Sequence, residues 1–148
     1  MIKICFVCLG NICRSPMAEF ILKDKVKKMN LEKNFLIVSR ATSYEQKGNS
    51  MHRGTKEILN KNNISYTNHI ATRLEKEDYD NYDYFICMDD SNITNALRIF
   101  KNDPDNKIIK LLNRDVKDPW YTGDFMETYE DINRGTDKLL EKLNKNDI

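Results

Sequence analysis

Several absences narrow what this 148-residue chain can be. No apolar run approaches the roughly 20 residues that a membrane-spanning helix needs, so no membrane span is expected. The formal net charge is only +1, from 24 basic and 23 acidic residues, which gives no bulk attraction to nucleic acid or to membranes. Repeats and low-complexity linkers are also missing. The length therefore predicts a single domain over residues 1–148 with its own hydrophobic core.

The four cysteines are not accompanied by a signal-like apolar stretch near the first residue. This combination predicts a reducing compartment, with the cytoplasm as the expected location, although export without a leader stays open. Cys5 lies inside the first predicted strand and Cys8 at its carboxyl end, and residues three apart on a strand point to opposite faces. They are therefore poorly placed to share a metal ion or a disulfide. Cys87 is expected to lie in a core strand.

Hydrophobic periodicity divides the chain into alternating strands and helices. Strands are predicted near 2–7, 35–39, 84–88 and 108–112, and helices near 16–30, 53–63, 91–101 and 125–144. This alternation predicts an α/β fold, in which a central four-stranded parallel sheet has helices on both faces. Ligands bind such sheets beyond the carboxyl ends of the strands, and the segment after the first strand falls there.

The most informative segment follows the first predicted strand and reads Cys8-Leu9-Gly10-Asn11-Ile12-Cys13-Arg14-Ser15. A tight loop between a strand and a helix directs backbone N–H groups and the positive helix end to one place, where an anion binds well. These surroundings and Arg14 favour the nucleophilic thiolate form of Cys8. Arg14 also offers a planar fork to two phosphate oxygens. The segment therefore predicts a phosphate loop in which sulfur attacks a phosphoryl group.

Other residues of this loop have expected supporting roles. Gly10 is expected to adopt the positive backbone angles that curl the loop, and Asn11 also tolerates them. The Ser15 hydroxyl can donate to the Cys8 sulfur and help it to leave in a second step. Ser15 and Pro16 are further expected to be the N-cap and first residue of the next helix. The backbone amides expected to hold phosphate belong to Leu9, Gly10, Asn11, Ile12, Cys13 and Arg14.

A second motif, Asp118-Pro119-Trp120-Tyr121, follows the last predicted strand. A thiolate cannot protonate the oxygen that leaves a phosphate monoester, so a general acid is needed, and Asp118 is the best candidate. The same carboxylate could then activate the water that hydrolyses the phosphoenzyme. Trp120 and Tyr121 could form a wall of the site and stack on an aromatic ring. An Asp-Pro pair that stood alone would indicate only a turn.

The segment from Val7 to Pro16, with Met17-Ala18-Glu19 behind it, resembles the signature of the low-molecular-weight protein tyrosine phosphatases. The Asp118 motif resembles the acid loop of that family, and the stretch Met88-Asp89-Asp90-Ser91-Asn92 is also similar to it. The resemblance extends over nearly the whole chain. It implies a single small α/β phosphatase domain with a phosphocysteine intermediate, no metal and no cofactor. Phosphotyrosine-containing proteins are the expected partners.

The same resemblance implies supporting residues. His69 lies in a stretch similar to one that supports the phosphate loop, so a hydrogen-bonding role is expected rather than base catalysis. Asn92 is expected to brace the loop or to cap the next helix, and Ser91 to cap that helix. A loop that curls around phosphate could bring Cys13 back towards Cys8. A reversible Cys8–Cys13 bond under peroxide is therefore a hypothesis, and the family implies it too.

Three interpretations of the function stay open. The chain could be a phosphatase for phosphotyrosine and aryl phosphates, a protein-arginine phosphatase or thiol-dependent arsenate reductase on the same fold, or a non-catalytic anion-binding module. Ile12 favours the first, because arginine phosphatases of the family tend to carry threonine there and an isoleucine branch would crowd a guanidinium. Trp120 and Tyr121 favour a flat ring. An arsenate reductase of this fold needs a cysteine pair beyond the loop, where this chain has only Cys87.

The rim of the expected cleft departs from the family pattern. Many relatives carry a tryptophan near 43–48, where this chain has Tyr44 and Glu45. Tyr44 is expected to supply an aromatic wall, with a surface loop outside the cleft as the alternative. Glu45 would make the rim acidic. His52 is expected to be exposed. The sequence does not determine the oligomeric state, and a monomer is favoured.

Overall fold

The computed structural model describes residues 1–145, so the predicted domain end at 148 lies outside the described residues. The strands are β1 (Ile2–Cys8), β2 (Phe35–Ala41), β3 (Tyr84–Cys87) and β4 (Ile108–Lys110). The helices are α1 (Arg14–Lys28), α2 (Arg53–Lys61), α3 (Asp90–Phe100), α4 (Pro119–Thr122) and α5 (Phe125–Asn144). Short 3₁₀ helices lie at Glu32–Asn34 and Lys76–Asp80. Within this range no helix has the length and apolar character to cross a membrane.

All strands pair in parallel in one four-stranded sheet with the order β2-β1-β3-β4. The inner strand β1 places Ile4 beside Ile37 of β2 and beside Tyr84 of β3. Because β1 is covered on both faces, its apolar sequence is continuous rather than alternating. The predicted α/β class with four parallel strands is confirmed. Cys8 is the last residue of β1 and so lies at the carboxyl edge of the sheet.

Helices cover both faces of the sheet, as the alternation predicts. On one face, Phe6 and Cys8 belong to a core cluster with apolar side chains of α1, α2 and α5. On the other face, Cys5 packs in a second cluster with Phe85 and side chains of α3. The opposite placement of Cys5 and Cys8 is confirmed. Cys87 is fully buried in the second cluster, so its predicted core position is confirmed.

The starts of two helices differ from the prediction. Helix α1 begins at Arg14, and Cys13 rather than Ser15 is its N-cap, with no side-chain capping bond. The Ser15 side chain is instead turned towards the Cys8 sulfur, 3.0 Å from it. Helix α3 begins at Asp90 because the Asp89 side chain accepts the amide of Asn92, which makes Asp89 the N-cap. The capping roles predicted for Ser15 and Ser91 are therefore wrong. The sequence also failed to predict α4.

Candidate active site

The sulfur of Cys8 lies among hydrogen-bond donors at the carboxyl end of β1. The amides of Asn11 and Ser15 donate to it at 3.3 and 3.4 Å, and the Ser15 hydroxyl oxygen is 3.0 Å away. Donors grouped around one atom favour negative charge on it. Cys8 is only 3% exposed, so it can be approached only through the cleft that it lines.

Asn11 fixes the shape of the phosphate loop. Its backbone is left-handed, with φ of 59°, and the residue is fully buried. Its side-chain amide donates to the hydroxyls of Ser15 at 2.7 Å and Ser39 at 2.9 Å, and its side-chain oxygen accepts from the Thr72 amide at 3.0 Å. Its carbonyl oxygen is 2.8 Å from His69 Nε2. His69 therefore lies within hydrogen-bonding distance of the loop backbone, which is the contact that a supporting role requires.

Gly10 does not have the positive φ that the sequence suggested, so that expectation is wrong. Asn11 makes the left-handed turn. Gly10 has no side chain and so lets the Gln46 side chain approach the loop closely. A Cβ at Gly10 would lie 3.2 Å from Cγ of Gln46, which closes over the loop from the opposite rim. A larger residue would need Gln46 to move.

Backbone amides of the loop remain available to an anion. Within residues 1–145, the amides of Gly10, Ile12, Cys13 and Arg14 have no protein hydrogen-bond acceptor. Buried N–H groups at a strand–helix junction are the usual donors to phosphate oxygens. The loop therefore offers several donors close to the Cys8 sulfur.

Arg14 is held by two carboxylates and one carbonyl. Its Nη1 donates to Asp89 Oδ2 at 2.7 Å and to the Val116 carbonyl at 2.9 Å, and its Nη2 lies 3.4 Å from Asp118 Oδ2. The Arg14 side chain is 3% exposed. Asn92 accepts the amides of Met88 and Asp89 and thereby fixes Asp89. Asn92 thus supports Arg14 through Asp89 and makes no hydrogen bond to the loop among the described residues.

Asp118 is placed by the short helix that it caps. Its Oδ1 accepts the amide of Trp120 at 3.0 Å, and Pro119 occupies the first helical position. This leaves Oδ2 directed towards Arg14 at 3.4 Å. The Asp118 side chain is 20% exposed, so water and a leaving oxygen can reach it. The nucleophile, cation and acid that the sequence predicts therefore meet at one cleft.

The cleft has an aromatic wall on one side and a polar rim on the other. Trp120 and Tyr121 form the wall and are 53% and 76% exposed. The residues that line the cleft are Cys8, Leu9, Gly10, Ile12, Cys13, Arg14, Glu45, Gln46, Asp118, Trp120 and Tyr121.

Tyr44 is absent from this lining, so its predicted place in the cleft wall is wrong. Its ring packs under the Arg73 guanidinium, with 4.4 Å between the guanidinium carbon and the ring centroid. Its hydroxyl donates to Glu75 at 3.2 Å. These two contacts turn the ring away from the cleft and leave Glu45 and Gln46 at the rim.

Cys13 lines the cleft but differs from Cys8 in its chemistry. Burial, and after it the nearby Cys8 sulfur, raise the pKa of the Cys13 thiol to about 12. Cys13 is therefore a protonated thiol at neutral pH. All four cysteines are unpaired in this structure, and the Cys8–Cys13 disulfide stays a prediction. Among the described residues, no group of three or more His, Cys, Asp or Glu side chains is placed to hold a metal ion.

Comparison with known proteins identifies the family. The model of the family described as low molecular weight phosphotyrosine protein phosphatase matches residues 3–147. This chain belongs to that family. One relative is the low molecular weight protein-tyrosine-phosphatase YfkJ of Bacillus subtilis, which is 40% identical, with 98% of this chain and 97% of YfkJ covered. The corresponding PtpA of Staphylococcus aureus (strain MRSA252) is 38% identical, with 98% and 96% covered.

Solved structures agree with this assignment. The crystal structure of Bacillus subtilis YfkJ matches with a TM-score of 0.95 at 38% identity, and the match covers 99% of this chain and 96% of the YfkJ chain. That of SP-PTP from Streptococcus pyogenes matches with a TM-score of 0.91 at 42% identity, covering 97% and 93%. The fold of this phosphatase is therefore that of solved members of the family.

Sequence reasoning missed two residues of this phosphatase site. Asp89, the anchor of Arg14, is followed three positions later by Asn92, which is a helix-capping spacing. That signal could have located the helix start but not the contact with Arg14. His52 was expected to be exposed but is half-buried, and it caps α2 and contacts Trp120.

Proposed function

We propose that this chain hydrolyses phosphotyrosine and aryl phosphates through a phosphocysteine intermediate on Cys8. The observation that carries the proposal is the meeting of Cys8, Arg14 and Asp118 at one cleft with an aromatic wall. Family membership supports the same reaction class. Phosphotyrosine-containing proteins are the partners that fit it. We place the enzyme in the cytoplasm as a monomer, and its unpaired cysteines support a reducing compartment.

In the first step, the Cys8 thiolate attacks phosphorus and the bond to the ester oxygen breaks. The Asp118 carboxyl gives its proton to that leaving oxygen, so the product is a neutral phenol. The loop amides and the Arg14 guanidinium hold the equatorial oxygens, where charge develops in the transition state. The result is a phosphoryl group on the Cys8 sulfur.

In the second step, water attacks the phosphocysteine and the phosphorus–sulfur bond breaks. The Asp118 carboxylate takes a proton from the attacking water, which regenerates the acid. The sulfur leaves as a thiolate, and the Ser15 hydroxyl and the amides of Asn11 and Ser15 stabilise its charge. Inorganic phosphate is released, and the protein returns to its starting state without a redox change.

The cleft favours an aromatic substrate over phosphoarginine. Trp120 and Tyr121 offer flat apolar surface on which a phenyl ring can stack. Ile12 lines the same cleft, and its branched side chain occupies space that a forked guanidinium would need. Glu45 and Gln46 form the opposite rim, where they would contact residues next to the phosphotyrosine.

The test is a metal-free assay with EDTA that compares phosphotyrosine and phosphoarginine peptides. Wild-type protein should hydrolyse the phosphotyrosine peptide and leave most of the phosphoarginine peptide intact. Cys8→Ser should abolish turnover while retaining the binding of a phosphate mimic. Cys5→Ala is the matched control, because it removes a thiol of the same strand on the opposite face of the sheet and should retain activity.

The outcomes separate the parts of the proposal. Measurable turnover by Cys8→Ser would refute the nucleophile assignment. Preference for phosphoarginine would keep the mechanism and reject the substrate. Hydrolysis of neither peptide by wild-type protein would favour a non-catalytic anion-binding module.

A further inference from the structure

His52 connects the start of α2 to the phosphate loop. Its Nδ1 accepts the amide of Gly54 at 2.9 Å, which caps the helix and requires Nδ1 to carry no proton. Its own backbone amide donates to the carbonyl of Ile12 at 2.8 Å. The backbone of His52 is therefore fixed against the loop that would hold phosphate, and its ring orientation is fixed by the cap.

The ring of His52 lies between two aromatic side chains. It stacks on Phe125, with 5.0 Å between ring centroids and an interplanar angle of 26°. It meets Trp120 at 5.7 Å and 82°, an edge-to-face contact. Phe125 in turn packs against the cluster formed by Ile12, Cys13 and Ala71. A continuous set of contacts therefore runs from the phosphate loop through Phe125 and His52 to the cleft wall.

Gly54 makes this stack possible. A Cβ at position 54 would lie 2.5 Å from atoms of the Phe125 ring, closer than real contacts allow. The absence of a side chain at 54 lets Phe125 approach the start of α2, where the His52 ring meets it. The His52 ring and the space at Gly54 are thus parts of one arrangement.

We propose that His52 is a positioning residue that holds Trp120 in the cleft wall, an inference that rests on the proposed function. Trp120 is 53% exposed and belongs to a helix of only four residues, so its own element restrains it weakly. The His52 ring packs against Trp120, and the His52 backbone is itself hydrogen-bonded to the phosphate loop. An aromatic pair of this kind changes the population of a side-chain position by about 2- to 10-fold.

Two substitutions separate the ring of His52 from its capping role. His52→Asn keeps an oxygen that can cap α2 but removes the ring. His52→Phe keeps a ring and removes the cap acceptor. If the ring positions Trp120, His52→Asn should raise KM for p-nitrophenyl phosphate about 2- to 10-fold, with little change in kcat or Tm. His52→Phe should show the opposite pattern, with a lower Tm and a KM near wild type.

Trp120 gives a readout independent of turnover, because it is the only tryptophan in the sequence. Acrylamide quenching, measured by fluorescence lifetimes, reports solvent access to its ring. Quenching should increase in His52→Asn and stay near wild type in His52→Phe.

Unchanged quenching and KM in His52→Asn would overturn the proposal. So would equal changes in both variants, since they would trace the effect to the cap. If wild-type protein failed to hydrolyse p-nitrophenyl phosphate, the proposed function would fail, and the quenching comparison alone would decide whether His52 holds Trp120.

Discussion

Asp89→Asn tests whether the anchor of Arg14 matters for stability and for catalysis. Asp89 Oδ2 accepts from Arg14 Nη1 at 2.7 Å, and Asp89 Oδ1 caps α3 by accepting the amide of Asn92. Asparagine is as good an N-cap as aspartate, so this substitution can keep the cap. Its NH2 group then faces the Arg14 Nη1 donor, so both the charge and the hydrogen bond to Arg14 are removed. The guanidinium then loses a full negative charge at the closest of its contacts.

The magnitude follows from the type of bond that is replaced. A hydrogen bond to a charged group contributes about 1.5–3 kcal/mol, and the capping asparagine leaves Arg14 Nη1 without it, so the loss should be about 1.5–3 kcal/mol. Breaking a fully buried ion pair costs about 3–5 kcal/mol. The range for a single hydrogen bond to a charged group applies here, because Arg14 keeps its contacts with Asp118 and the Val116 carbonyl, and the Asp89 side chain is 18% exposed.

The measurements are the free energy of unfolding in urea and kcat/KM for p-nitrophenyl phosphate. We expect the free energy of unfolding to fall by about 1.5–3 kcal/mol, and kcat/KM to fall by about 10- to 150-fold if the same energy is lost in the transition state. Asp89→Ala should cost about 1 kcal/mol more in stability, because it also removes the cap of α3.

Asp90→Asn is the matched control for this experiment. Asp90 is the next residue of the chain, its side chain is 78% exposed, and it pairs with Lys110 rather than with Arg14. A solvent-exposed pair contributes about 0–1 kcal/mol, so this variant should stay close to wild type. Equal effects of Asp89→Asn and Asp90→Asn would refute the anchoring role, because they would reduce it to a general loss of surface charge.

Three further predictions concern the acid, the second loop cysteine and the sheet–helix contact. Asp118→Ala should lower kcat/KM for esters with poor leaving groups by about 10²–10⁴-fold and that for p-nitrophenyl phosphate far less, and equal losses in kcat/KM would contradict its role as the acid. Cys13→Ser should lose the thiol-reversible part of peroxide inactivation, and unchanged reactivation would reject the Cys8–Cys13 disulfide. Gly135→Ala should lower the free energy of unfolding by about 1–3 kcal/mol, because its Cβ would lie 2.5 Å from Leu111, and a Tm at or above wild type would contradict this.

The parts of the structure that the sequence predicts well depend on short, continuous patterns. The apolar run of β1 and the helical spacing after it place the phosphate loop between strand and helix. Because Cys8 and Arg14 lie within this one loop, their proximity follows from local geometry alone. The position of the loop at the carboxyl edge of the sheet then follows from the parallel topology.

The parts of the structure that the sequence does not predict depend on contacts between distant segments of the chain. Asp89 reaches Arg14 only because β3 pairs with β1 and delivers the start of α3 beside the loop. Tyr44 lies in the expected region, but its direction is decided by Arg73 and Glu75, which a one-dimensional pattern does not connect to it. Periodicity reports which residues are buried, and it does not report the partner that a polar side chain selects.

The contacts of Arg14 explain how one residue can be anchored and still bind phosphate. A guanidinium has five N–H donors, and those of Nη1 are used by Asp89 and the Val116 carbonyl, while one of Nη2 faces Asp118. The Nε donor and the second Nη2 donor have no acceptor among residues 1–145. Nε and Nη2 lie along one edge of the guanidinium, and an edge of this kind suits two phosphate oxygens. Phosphate can therefore bind without displacing the anchor, and a lysine, whose donors share one nitrogen, could not present this edge.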